Sequence, residues 1–285
     1  MKRRLITNSI ILSLFLLILN LNSCTKEGDE NNFDANIQTA MDYVLCEISA
    51  LDAFNIVFTS GIDSILFADG TAMIDNANVT LNTSGDTTIT IDFGSIPVHS
   101  FGKMRGGMIT AALTTLNLLQ TGAMATITFD NYAVEGNHLD AQSVILENVT
   151  AGGNPTFNLN FNQAKLYKDG GTDQNDTLRF NSSKMIVMTQ GSGTPNNHED
   201  DIFSVSGTAN GTSSKGSNYT AETSSDLVLD FSCQWLFTQG VLNCTTPEYI
   251  DPAVIDFGDG SCNDAISVTL HDNEGSVYNI PAILP

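Results

Sequence analysis

Positive charge is scarce in this sequence. Its 285 residues carry 11 Lys and Arg against 32 Asp and Glu, a formal net charge of -21. A chain this acidic cannot neutralise a run of phosphates, which excludes nucleic acid as a partner. Histidine is sparse too: His99, His138, His198 and His271 are scattered, and no CxxC spacing occurs, so no metal-ligating pattern is present. There is no GxSxG elbow, no HExxH pair and no Gly-rich loop ending in Lys-Ser/Thr. The chain therefore offers no catalytic signature and gives no reason to expect a cofactor. Beyond the N-terminus no run of about eighteen apolar residues exists, so the body is not a membrane bundle. Hydrophobic residues still make up 41% of the chain, enough for a core and too many for a disordered acidic polymer.

The N-terminus reads as an address. Lys2, Arg3 and Arg4 precede an apolar run from about Ile10 to Leu21, which ends in Leu21-Asn22-Ser23-Cys24. Positive charge, a short apolar core and then small residues form the layout of a secretory signal. The tetrad resembles a bacterial lipobox. That resemblance implies that residues 1–23 are a lipoprotein signal peptide, and that the sulfur of Cys24 carries the lipid. Residues 24–33 contain Thr25-Lys26-Glu27-Gly28-Asp29-Glu30 and read as a flexible tether. A Lys followed by acids just after the lipid Cys resembles the surface-export signal of lipoproteins from Bacteroidetes. The expected location is thus the outer membrane, with the body facing outward.

Once Cys24 is assigned to lipid, Cys46, Cys233, Cys244 and Cys262 remain. An exported chain meets an oxidising compartment, and four thiols allow three pairings. Alternation along 227–235 puts Leu227, Leu229, Phe231, Cys233 and Trp235 on one strand face. Cys262 falls in a tight turn next to a strand. A Cys233–Cys262 bridge would tie the C-terminal strands together and is the expected pairing; Cys46 reads as a buried thiol on a helix.

Residues 34–63 hold the helix region. Ile37, Met41, Val44 or Leu45, Ile48 and Leu51 recur at three- and four-residue steps, which predicts one apolar stripe packed on a sheet. Everything from residue 64 onward reads as strands. Ile89, Ile91 and Phe93 alternate with Thr88, Thr90 and Asp92; Phe157, Leu159 and Phe161 alternate with Asn158, Asn160 and Asn162. Ala125, Ile127 and Phe129 repeat the pattern, as do Ile266, Val268 and Leu270. Period-two alternation with a polar second face predicts half-buried antiparallel strands. The fold class is mainly β with one short N-terminal helix. Ile91-Asp92-Phe93-Gly94 recurs as Ile255-Asp256-Phe257-Gly258. Two sandwich-like modules, 64–168 and 169–285, would explain the echo, and so would one sheet curled on itself.

Asp256-Phe257-Gly258-Asp259-Gly260-Ser261-Cys262-Asn263-Asp264 is the densest local motif. Asp256, Asp259 and Asp264 could gather oxygens around calcium, but the spacing is not that of the twelve-residue calcium loop. Asp-Gly is equally a hairpin turn pair that needs no metal. His198-Glu199-Asp200-Asp201 reads as a solvated loop. Trp235 falls on an apolar face and the Tyr residues are dispersed, which weakens an aromatic sugar-binding platform.

Several segments together resemble a family of uncharacterised β-rich lipoproteins from Bacteroidetes. They are Ile91 to Gly94, Gly106-Gly107-Met108-Ile109, Thr126 to Gly136, Asp201 to Gly207 and Ile255 to Asp264. The resemblance implies a lipid signal, a short helix and a β-rich body ending near an Asp-Phe/Tyr-Gly-Asp-Gly-x-Cys turn. It carries over architecture and location, not chemistry. The resulting expectation is a lipid-anchored cell-envelope protein of non-enzymatic, structural or ligand-binding role. Its partners would be the membrane, through the N-terminal lipid, and an extracellular glycan or protein ligand. The alternatives are a glycan-binding surface module and a hydrolase built on paired carboxylates.

Overall fold

The computed structural model describes residues 27–168, 177–194, 197–234, 236–247, 251–271 and 277–283. Cys24 and Trp235, singled out in the sequence, lie outside the described residues. Two helices come first: α1 (Glu27–Ile62) and the single-turn α2 (Ser64–Asp69). Strands follow as β1 (Thr71–Ile74), β2 (Ala77–Asn82), β3 (Thr87–Ser100), β4 (Lys103–Leu113) and β5 (Met124–Val134). Next are β6 (Asn137–Asn148), β7 (Thr156–Lys168), β8 (Leu178–Gln190), β9 (Ile202–Thr212) and β10 (Asn218–Asp230). β11 (Leu236–Thr245), β12 (Ala253–Asp259), β13 (Ala265–His271) and β14 (Val277–Ile283) complete the body.

All fourteen strands form one antiparallel sheet in which each pairs with its neighbours in sequence, β1 to β14 in order. Short turns impose this. Asp75-Asn76, Phe101-Gly102 and Glu135-Gly136 each join two strands with both residues at positive φ. That is the primed turn whose twist suits a hairpin. The alternation read from sequence is the burial pattern found: Ile89, Ile91, Phe93, Phe157, Leu159 and Phe161 are all at most 3% exposed.

The sheet is continuous where two modules were expected to divide at 168/169. β7 pairs with β8 from Thr156↔Val187 to Leu166↔Leu178, and both proposed modules fall in one compact unit, residues 35–285. The curled sheet is therefore the arrangement adopted. A second correction concerns α1. It begins at Glu27, inside the stretch expected to be a tether; Gly28 falls in its first turn, where Glu27, Asp29 and Glu30 suit the positive end of the helix dipole. A third concerns its surroundings. The sequence predicts one buried stripe, yet nearly every residue from Asn36 to Ile62 is buried.

A flat sheet covers one side of a helix; this sheet curls around α1. Asp52 of α1 meets β4, Glu47 meets β8, and Thr39 reaches Ser213 in the β9–β10 turn. Phe54 and Phe58 pack against Phe157 of β7 and Phe203 of β9, with ring centroids 5.2 to 6.1 Å apart. The β4–β5 loop caps the helix end: the Leu118 amide donates to the Gly61 carbonyl at 3.1 Å. A Cβ at Gly61 would stand 2.3 Å from the Leu118 side chain, so only glycine admits that contact. By length and hydropathy the segment Asn36–Ile62 could cross a bilayer, but 89% of its apolar window is buried inside the protein. Its apolarity is that of a core helix.

Candidate functional site

The interior is fastened by charge as well as by apolar packing. Asp52 accepts from Arg105 Nε at 3.1 Å, from Arg105 Nη2 and from the Tyr132 hydroxyl; Arg105 Nη1 donates to the Ser100 carbonyl. Burial pushes the Asp52 carboxyl up, but the Arg105 guanidinium, Lys103 and the Tyr132 hydroxyl together outweigh it and hold the group below the usual carboxylate range. Burial and the neighbouring Asp52 charge push the Tyr132 hydroxyl well up, so it stays a neutral donor. On another side of α1, Lys184 Nζ lies 2.8 Å from Glu47 Oε2, with the Tyr43 hydroxyl 3.3 Å from the same oxygen. Asp42 accepts from the Ser214 amide and hydroxyl, each at 2.7 Å. Every one of these acids is matched by a donor on the sheet or its turns. They hold α1 in one rotational setting, although Glu47 Oε1 is buried without a hydrogen-bond partner among the described residues.

The Asp256–Asp264 motif runs from the end of β12 through the turn that leads into β13. Asp256 Oδ1 accepts from the Gly258 amide at 2.9 Å, Asp259 Oδ1 from Ser261 at 3.2 Å and Asn263 Oδ1 from Ala265 at 2.9 Å. These side chains serve their own backbone. Among the described residues no three His, Cys, Asp or Glu side chains converge on one point. The echo with residues 91–94 is real at the backbone level. Asp92 Oδ1 accepts from the Gly94 amide at 2.7 Å, as Asp256 does from Gly258, and Gly94 and Gly258 have φ of 80° and 102°. Phe93 and Phe257 are both buried.

The Cys233–Cys262 disulfide is present, with Cα atoms 5.2 Å apart. The strand expected over 227–235 stops at Asp230. Asp230 accepts from the Ser232 amide, and Phe231–Cys233 form a turn of 3-10 helix. Phe231 and Cys233 keep their inward position despite the change of backbone. Cys46 and Cys244 are free and buried. Burial raises both thiols, Cys244 to about 12. Tyr43, Tyr132 and Tyr219 are interior, while Tyr167 is half-buried and stacks on His138 with centroids 5.3 Å apart. These aromatic rings do not assemble into an exposed platform.

A further feature is a cleft of about 450 Å³ on the outer face of β7 to β10. β7 contributes Gln163 and Lys165, and β8 contributes Arg179 and Asn181. Asn210 and Thr212 of β9 and Asn218 of β10 complete its polar wall. A bulge shapes it: between Phe161 and Ala164 the β7–β8 register slips, and Gln163 takes a φ of 49°. The Gln163 amide, freed from the ladder, donates to Asn181 Oδ1 at 2.9 Å. Asn181 Nδ2 donates to Asn210 Oδ1 at 3.1 Å, and the Thr212 hydroxyl donates to Asn218 Oδ1 at 3.0 Å. Lys165 and Arg179 are directly opposite each other in the register, so both side chains leave the same face. Among the described residues no acid lines this cleft. Sequence reading missed it, because its residues come from four strands and only the register brings them together.

No protein-family profile matches the chain, and no curated protein or solved structure matches it.

Proposed function

We propose that this chain is a lipid-anchored protein of the bacterial cell envelope with a non-enzymatic, ligand-binding role. Lipid on Cys24 holds it at the outer membrane, and the outer face of the sheet is its working surface. The observation that carries the binding role is the polar cleft across β7 to β10; α1 fills the interior, so a ligand has to be met on the outer face. The address rests on the lipobox-like Leu21-Asn22-Ser23-Cys24. The Cys233–Cys262 bridge supports it, being the chemistry of an oxidising compartment.

The test is metabolic labelling with an alkyne analogue of palmitate, followed by membrane fractionation and protease shaving of intact cells. The label is expected on the outer-membrane form and lost in Cys24→Ala, and the body should be digested from intact cells. A soluble, unlabelled full-length chain overturns the anchor. A labelled chain that resists shaving overturns the outward orientation and moves the search to periplasmic ligands.

A further inference from the structure

We infer that the cleft across β7 to β10 binds a carboxylate-bearing saccharide. Lys165 and Arg179 hold the acid group, and the amide hydrogens of Asn210 and Asn218 hold neighbouring sugar oxygens. This deepens the reading of the chain as a binding protein and rests on it. Hydrogen-bond polarity is the first support. The side-chain oxygens of Asn181, Asn210 and Asn218 are already acceptors within the cleft, in the bonds from Gln163, Asn181 and Thr212. An amide whose oxygen is engaged turns its nitrogen outward as a donor. With two cations beside these amides, the wall offers donors and few acceptors, so it suits a ligand rich in oxygen acceptors.

Charge placement is the second support. The chain has 11 Lys and Arg in all, yet Lys165 and Arg179 stand directly opposite each other on adjacent strands. Like charges so placed destabilise a sheet. Asp140 of β6 is opposite Lys165 on the other side, but among the described residues neither cation forms an ion pair. A bound carboxylate would relieve the repulsion and take a charge-assisted hydrogen bond from each. Peptides bring their own backbone N–H groups and would compete for amide oxygens that each already accept one hydrogen bond. Sugar hydroxyls can all accept. Neutral sugars would gain little, since among the described residues no exposed aromatic ring lies in the wall to stack on them.

The measurement is calorimetric titration of the full chain in detergent with trigalacturonate, with neutral galactotriose and with hexaglutamate. Trigalacturonate is expected to bind, galactotriose not to bind, and affinity to fall on raising NaCl to about 0.5 M. Lys165→Gln and Arg179→Gln should each weaken binding about tenfold or more. The double variant should abolish it, with a melting temperature equal to or above that of the parent. Three results overturn the proposal: no binding of trigalacturonate, undiminished binding by the double variant, or galactotriose binding as tightly. Equal affinity for hexaglutamate overturns the saccharide assignment and leaves a site for acidic peptides. Each result is separate from the labelling of Cys24, so loss of the cleft site and loss of the anchor are told apart.

Discussion

Lys184 Nζ and Glu47 Oε2 are 2.8 Å apart, and each side chain is only 1% exposed. The pair joins the middle of α1 to β8, and its removal is the most direct probe of how the helix is held. Lys184→Met leaves Glu47 charged and buried without its partner, which should cost about 3–5 kcal/mol. Glu47→Gln with Lys184→Met removes both charges and should recover much of that loss. Urea midpoints of the parent, both single variants and the double variant give the coupling. A single variant as stable as the parent would show that the pair contributes nothing net.

Acid should unfold the protein partly through Asp52. Its carboxyl is held below the ordinary range in the folded chain, so its stabilising contribution is complete above the unfolded value of about 4. That contribution fades as pH falls through the lower, folded value. Asp52→Asn should therefore be less stable than the parent at neutral pH, with the gap narrowing at low pH. Urea midpoints at pH 7, 5, 4 and 3 for both proteins check this, and parallel pH curves would refute it.

Reduction of Cys233–Cys262 opens a loop with a sequence separation of 29. Loop entropy puts the loss at about 3–4 kcal/mol. Guanidinium unfolding of the parent with and without reductant, and of Cys233→Ser with Cys262→Ser, measures it. The reduced parent and the double variant should coincide.

Cys46 and Cys244 should be silent toward alkylation in the native state. Both are buried, and burial keeps the thiols protonated, that of Cys244 to about pH 12. Intact-mass analysis after maleimide treatment should show no addition on these residues in buffer and two in denaturant. Rapid native labelling of either would mean that the sheet opens around α1.

Gly107 faces a sharper test. It has φ of +77°, and a Cβ there would stand 2.2 Å from the Asn131 carbonyl oxygen. Gly107→Ala adds both backbone strain and a clash, and should cost more than about 2 kcal/mol. Gly122→Ala, with φ of +80° and nothing within 4 Å, is the control for strain alone. Thermal melts of the two variants separate the effects.

Much of the β body is legible in the sequence, because a strand with one face buried must alternate. Ile89, Ile91 and Phe93 carry that signal within five residues, and Cys233 keeps its inward place even where the strand gives way to a 3-10 turn. The surroundings of α1 are not legible in the same way. Glu47 and Asp52 look like the wet side of an amphipathic helix until Lys184 and Arg105 are seen opposite them. One signal was available. Lys184 occupies an inward slot in the series Leu178, Phe180, Ser182, Ile186, Met188, and a cation at such a slot calls for a buried acid. The cleft left no trace in one dimension, since Lys165 and Arg179 become neighbours only through the β7–β8 register.

Pairing only between sequence neighbours sets an order of assembly. During synthesis α1 emerges before any of the strands that will enclose it, so its apolar sides wait without cover. Each new hairpin then needs to find only the strand made just before it, a short-range search that favours rapid growth. The growing margin exposes unpaired backbone, which invites pairing with another chain, and in the finished sheet β1 and β14 remain its two edges. The covalent link at Cys233 and Cys262 joins residues made near the end, and so acts as a latch on a wall built in sequence around its own post.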